Sequence, residues 1–144
     1  MHDLSPNDRL EISDLYAHHF YSLDALGGGN SSRDWAETFT PDGVFSIVRA
    51  GGERLFEVRG TTELIAAYAT FPAVETTRHW MNNMFVAAAD GGARGGCYII
   101  AIDIKTFPAR IIRSGVYEDE LVYTGGKWKF KSRTLILDRN SPSG

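Results

Sequence analysis

Apolar residues near the start of the chain recur at three- and four-residue intervals, at Ile12, Leu15, Tyr16, His19, Phe20, Leu23 and Leu26. At 100° per helical residue these positions form one stripe, which predicts a helix over about 6–26. Ser5-Pro6-Asn7-Asp8 supplies its start: a capping hydroxyl, proline at the first helical position and an acid in the first turn. Gly27-Gly28-Gly29-Asn30 is expected to end it, because glycine accepts the left-handed conformation that follows a helix. Asp24 lies at the margin of the stripe, one turn beyond Phe20.

A short second helix is predicted over 32–39, burying Trp35 and Phe39, before a turn at Pro41-Asp42-Gly43. Two strands, 44–49 and 54–59, join through Ala50-Gly51-Gly52-Glu53, a hairpin signal. Thr61 or Thr62 can cap a third helix carrying Leu64, Ile65, Tyr68 and Phe71 on its apolar side, and Pro72 stops it. Beyond Pro72 the pattern changes to long β-rich runs over 75–89, 93–106, 109–123 and 127–138. The breaks between them, Asp90-Gly91-Gly92, Phe107-Pro108 and Thr124-Gly125-Gly126, are short enough for antiparallel hairpins.

Helices first and a long antiparallel meander afterwards make an α+β pattern, with the helices covering one face of the sheet. A strongly curved, mostly antiparallel sheet wrapped around the N-terminal helix would form a cone-shaped α+β barrel enclosing a pocket. The 144 residues suit one domain, with an ordered core over about 6–139 and a frayed tail.

Composition narrows the function classes. With 43% hydrophobic and 12% aromatic residues the chain can build a core. Its net charge of −3, without a Lys/Arg cluster, argues against nucleic acid. No apolar run approaches the ~20 residues needed to span a bilayer, and the N-terminus lacks a signal-peptide pattern, so the expectation is a cytoplasmic protein acting on a small molecule. The lone Cys97, between Gly96 and Tyr98, reads as a buried structural thiol. The four histidines have no metal-ligand spacing, so no metal is expected. No phosphate loop or serine nucleophile elbow appears, and no cofactor is expected.

The chemistry-bearing candidates are then few. Strand alternation puts His79, Met81, Asn83 and Phe85 on one face, an apolar surface with two polar groups of the kind that lines small-molecule sites. An imidazole paired with a carboxylate is a simple proton-abstracting device, and Asp24 is the acid that the fold could bring to His79. Tyr16 lies two turns before Asp24 and can send its hydroxyl into the same cavity, with His19 and Phe20 between them. Alternation places Arg133 on the same face as Leu135, where it would form a surface ion pair or, if inward, bind a carboxylate, a leaving group or an enolate oxygen.

The order of elements, with the helix from Tyr16 to Asp24, Trp35-Ala36-Glu37-Thr38-Phe39-Thr40-Pro41-Asp42-Gly43, His79 and Trp128-Lys129-Phe130, resembles the SnoaL-like branch of the NTF2-like superfamily. Within it the chain looks most like the scytalone dehydratase, bile-acid dehydratase and hexachlorocyclohexane dehydrochlorinase group, whose members use a histidine base oriented by an aspartate. That resemblance implies His79 and Asp24 as catalytic residues, Tyr16 as a pocket tyrosine and Arg133 as the counterpart of the dehydrochlorinase arginine. Departures accompany it. The strands over 93–106 and 109–123 contain no histidine to match the second one of scytalone dehydratase. His19 stands in place of the dehydrochlorinase lysine, and no acid clearly replaces the general base of ketosteroid isomerase.

The expected activity is a cofactor-independent lyase (dehydratase) or isomerase acting on a small, mostly apolar carbonyl or hydroxy compound. The same superfold hosts noncatalytic binders, oxygenase-partner subunits and polyketide cyclases, which are the alternatives. Outward-facing Trp80, Met84, Ile100 and Ile102 imply a homo-oligomer, a symmetric dimer ahead of a trimer.

Overall fold

The computed structural model describes residues 3–26 and 29–143, in which three helices pack on one curved six-stranded sheet. Helix α1 (Pro6–Leu23) begins with a capping box in which Ser5 and Asp8 satisfy each other's free groups. Its buried face is Ile12, Tyr16, His19, Phe20 and Leu23, the stripe expected from the periodicity.

The helix ends three residues sooner than its hydrophobic pattern implies. Asp24 is the C-cap, Ala25 turns left-handed at φ 60°, and the amides of Ala25 and Leu26 reach back to the carbonyls of Ser22 and Tyr21. This is a Schellman closure built on alanine, at a cost of about 1 kcal/mol relative to glycine. The expected glycine stop falls partly on Gly27 and Gly28, which lie outside the described residues.

Helix α2 (Ser31–Glu37) buries Trp35, and strand β1 (Phe39–Arg49) follows at once. The expected turn at Pro41-Asp42-Gly43 is a bulge within that strand, where pairing shifts between Phe39 and Val44. Strand β2 (Arg54–Arg59) and helix α3 (Thr61–Tyr68) come next, the latter capped by Gly60 at φ 87° instead of by a threonine. The meander consists of β3 (Thr77–Ala89), β4 (Gly92–Asp103), β5 (Arg110–Thr124) and β6 (Lys127–Leu137).

Strand order is β2-β1-β6-β5-β4-β3, with β1 and β6 the parallel pair. Three registers position the site. His79, Ala101 and Arg113 lie in one row across β3, β4 and β5. Asp119 lies opposite Arg133 across β5 and β6. Gly95 pairs with Asp119, and a Cβ there would come within 2.7 Å of the Tyr16 hydroxyl, so glycine is what lets the helix tyrosine reach the sheet.

Alternation along β3 breaks at a bulge between Asn82 and Phe85, where Asn83 adopts φ 51°. One inserted residue exchanges the two faces of a strand. Met84 and Val86 therefore pack on the core, while Phe85 is 48% exposed and Asn83 faces solvent. No helix among the described residues is long and apolar enough to cross a membrane.

Candidate active site

Asp24 and His79 meet although 55 residues separate them. His79 Nδ1 lies 2.6 Å from Asp24 Oδ1, and the backbone N–H of His79 donates to Asp24 Oδ2 at 2.9 Å. A carboxylate only accepts, so Nδ1 carries the proton of the neutral ring and the lone pair is left on Nε2. Asp24 is 5% exposed, and Phe20 stacks on the imidazole with its centroid 6.0 Å away and the planes 17° apart. Tautomer and ring orientation are thus both set, and Nε2 has no hydrogen-bond partner among the described residues.

His79 lines a cavity of about 90 Å³. Leu23, Trp35, Phe45, Phe71, Leu135 and Leu137 form most of its apolar wall, and Thr77, Arg113 and Tyr117 add polar groups. A recess bounded by Ile99 and Ala101 continues it along the sheet. Tyr117 is 2% exposed, and its hydroxyl forms no hydrogen bond among the described residues. Burial raises its pKa, so it remains a proton donor at neutral pH.

The remaining expected site residues lie elsewhere. Tyr16 and Arg133 are fully buried in a network around Asp119, in which Arg133 Nη1 has no hydrogen-bond partner among the described residues. Arg133 grips Asp119 through Nε at 2.9 Å and Nη2 at 3.1 Å, and Tyr16 donates to Asp119 Oδ2 at 2.5 Å. The guanidinium is stacked 3.8 Å from the Tyr117 ring centroid and 4.4 Å from that of Phe130. Burial raises the Asp119 carboxyl against the pull of Arg133 and Tyr16, and burial also works against the charge on Arg133, which Asp119 more than offsets. An arginine sealed in this way cannot receive a leaving group. Cys97 lies beside the network, its thiol pushed up to about 11 mainly by burial, which leaves it inert.

His19 is also a core residue and not a pocket residue. Trp35 Nε1 donates to its Nε2 at 3.2 Å, and its Nδ1 lies 2.9 Å from the Thr38 hydroxyl, which itself donates to the Trp35 carbonyl. Burial, followed by Arg133, His79 and His18, holds its pKa well below 6.5. The unfolded chain binds this proton and the folded chain does not, so His19 removes stability as pH falls through the ordinary histidine range. Between pH 7.5 and 5.5 the wild type should lose about 1.4 kcal/mol more than His19→Gln in urea unfolding. Equal losses would contradict the assignment.

Met81 lines an open groove of about 300 Å³ that it shares with Phe20, Asp24 and His79, and it does not line the apolar cavity. Asn83 and Phe85 are turned away by the bulge in β3. Of the nine residues expected at the site, His79 reaches the cavity, with Asp24 and Phe20 behind it. Arg113 and Tyr117 were not expected there. Their alternate spacing on one strand was visible, but nothing in it showed that they share a row or a wall with His79. Among the described residues no group of three or more His, Cys, Asp or Glu is placed to hold a metal ion.

Solved structures share this architecture. A Nostoc punctiforme protein of unknown function with a cystatin-like fold is 23% identical, with 98% of each chain covered and a TM-score of 0.77. A candidate scytalone dehydratase from Novosphingobium aromaticivorans is 23% identical, covering 91% of this chain and 84% of its own at a TM-score of 0.70. The β subunit of a candidate aromatic-ring-hydroxylating dioxygenase from the same organism is 18% identical, covering 90% and 88% at 0.74. No curated protein sequence matches the chain. The profile of the SnoaL-like domain matches residues 5–134, and the chain belongs to that family.

Proposed function

We propose that the protein is a lyase or isomerase that removes a proton from carbon, with His79 as base and Asp24 as the residue that orients it. The observation that carries this reading is the two-point grip of Asp24 on His79, which leaves Nε2 unengaged in a ring lining an apolar cavity. A side chain kept for packing alone has no need of a fixed tautomer.

Nε2 takes a proton from a carbon next to a carbonyl, and the electron pair moves onto the carbonyl oxygen. Tyr117 donates a hydrogen bond to that oxyanion, in place of Tyr16, Asn83 and Arg133. If the neighbouring carbon carries a hydroxyl, the imidazolium returns the proton as that group departs, and the products are an alkene and water. Return of the proton to another carbon gives isomerisation instead. The likeness to a candidate scytalone dehydratase points to loss of water.

A panel of β-hydroxy and β,γ-unsaturated ketones incubated in heavy water tests the reading. At least one should gain deuterium at carbon with the wild type and not with His79→Ala. Exchange unchanged in His79→Ala would overturn it.

The outer face of the sheet exposes Trp80 at 64%, Tyr98 at 56% and Phe85 at 48%, and Arg94 lies 5.9 Å from the Phe85 ring centroid. We assign this face to contact between copies of the chain, since clustered exposed aromatics mark interaction surfaces. Light scattering at micromolar concentration should give a dimer, and Trp80→Lys combined with Tyr98→Glu a monomer. A wild-type monomer that assembles only with an oxygenase large subunit would contradict the assignment.

A further inference from the structure

Arg113 is half-buried on β5 and lines the same cavity as His79. The two lie in one row of the sheet with Ala101 between them. Adjacent strands are about 4.8 Å apart, so the two Cα atoms are separated by about 10 Å. Ala101 contributes only a methyl group, which leaves the space between the two side chains open.

The guanidinium has no hydrogen bond and no ion pair among the described residues, in contrast to Arg133, whose carboxylate partner accompanies it. Among the described residues no acidic side chain lines the cavity. Burial lowers the Arg113 pKa, and the group that acts against this is Tyr117 rather than a carboxylate. A half-buried cation without a counter-charge is an unfavourable arrangement unless something arrives to complete it.

Charge outside the cavity has the same sign. Arg113, Pro72 and Thr77 are shared with an open groove of about 390 Å³ that also carries Lys105, Arg110 and Asp103. Asp103 is already engaged, by Arg110 at 3.6 Å and by the Lys105 amide at 2.9 Å. The groove is therefore net positive in a chain whose net charge is −3, which favours entry of an anion on this side.

We propose that Arg113 is a specificity-determining residue that binds a carboxylate on the substrate, with the reacting carbon directed inward to His79. The guanidinium presents a planar fork that matches a carboxylate at two points. The apolar part of the molecule would lie against Leu135 and Tyr117, and the anionic end would remain at the groove. The direction of binding rests on the reading of His79 as the base, whereas the anion site does not depend on it.

Cinnamate and its neutral, similarly shaped amide separate the two ideas. In calorimetric titrations the wild type should bind cinnamate about tenfold or more tightly than cinnamamide. Asp24→Asn should keep that preference, because it leaves Arg113 in place. Arg113→Lys should keep part of it and Arg113→Gln should lose it, with circular dichroism and Tm unchanged. Equal affinities in the wild type, an intact preference in Arg113→Gln, or no binding of cinnamate up to about 10 mM would each overturn the assignment. A preserved anion preference in a protein that exchanges no carbon-bound hydrogen would refute the proposed function and leave the anion site standing.

Discussion

Asp24→Asn is expected to lower kcat by about 10²- to 10⁴-fold, the range in which a positioned general base contributes. The reason is a shortage of acceptors. In the wild type one carboxylate oxygen takes the ring Nδ1–H and the other takes the backbone N–H of His79. An amide has one acceptor oxygen and one donor nitrogen, so it cannot satisfy both. If the oxygen stays with the backbone amide, the side-chain NH₂ faces Nδ1 and the ring proton moves to Nε2. The lone pair needed for proton abstraction is then on the wrong nitrogen.

His79→Ala should lose at least as much, since it removes the base itself. Both are measured on the carbon acid that exchanges deuterium, with kcat and KM separated and folding checked by thermal unfolding. Near-normal turnover in both variants would dismiss the dyad. Loss in His79→Ala alone would show that Asp24 serves the fold and not the chemistry.

Arg133→Met should produce the largest loss of stability, about 3–5 kcal/mol, because it strands the Asp119 carboxylate in a dry interior with only the Tyr16 hydroxyl as partner. For a chain of this size that corresponds to a fall in Tm on the order of 10 °C. The cost comes from the charge left behind, not from the energy of the pair, so removing both charges should cost less than removing one. Arg133→Met with Asp119→Leu is expected to recover a substantial part of the loss, read as a coupling energy in urea unfolding. A single variant destabilised by less than about 1 kcal/mol would mean that water reaches the pair after all.

The network also explains why Arg133 and Tyr16, expected at the site from spacing and resemblance, do not line the cavity. Arg133 does point inward with Leu135, as alternation implies, yet inward here means beneath Tyr117 and not into the cavity. What seals it is Asp119, 14 residues away and directly across the ladder. The same holds for His19, whose two ring nitrogens are used by Trp35 and Thr38. In β3 the alternation was sound as far as Met81 and failed at Asn83, because a bulge leaves no trace in a two-residue period.

Local pattern alone determined the helix stripe, the meander and its turns and the α+β class, whereas the pairing of Asp24 with His79 was expected only from the family resemblance. The former are near-neighbour properties, set by periodicity, capping and turn chemistry along a few residues. Tertiary structure decided which polar groups find each other. Asp24 reaches His79, Asp119 engages Arg133 and Tyr16, and Arg113 lies beside a cavity without a carboxylate partner among the described residues. Those outcomes depend on strand register and on the point at which α1 turns at Ala25. Register is fixed by long-range packing, because a buried charge is tolerated only where a partner from a distant part of the chain meets it.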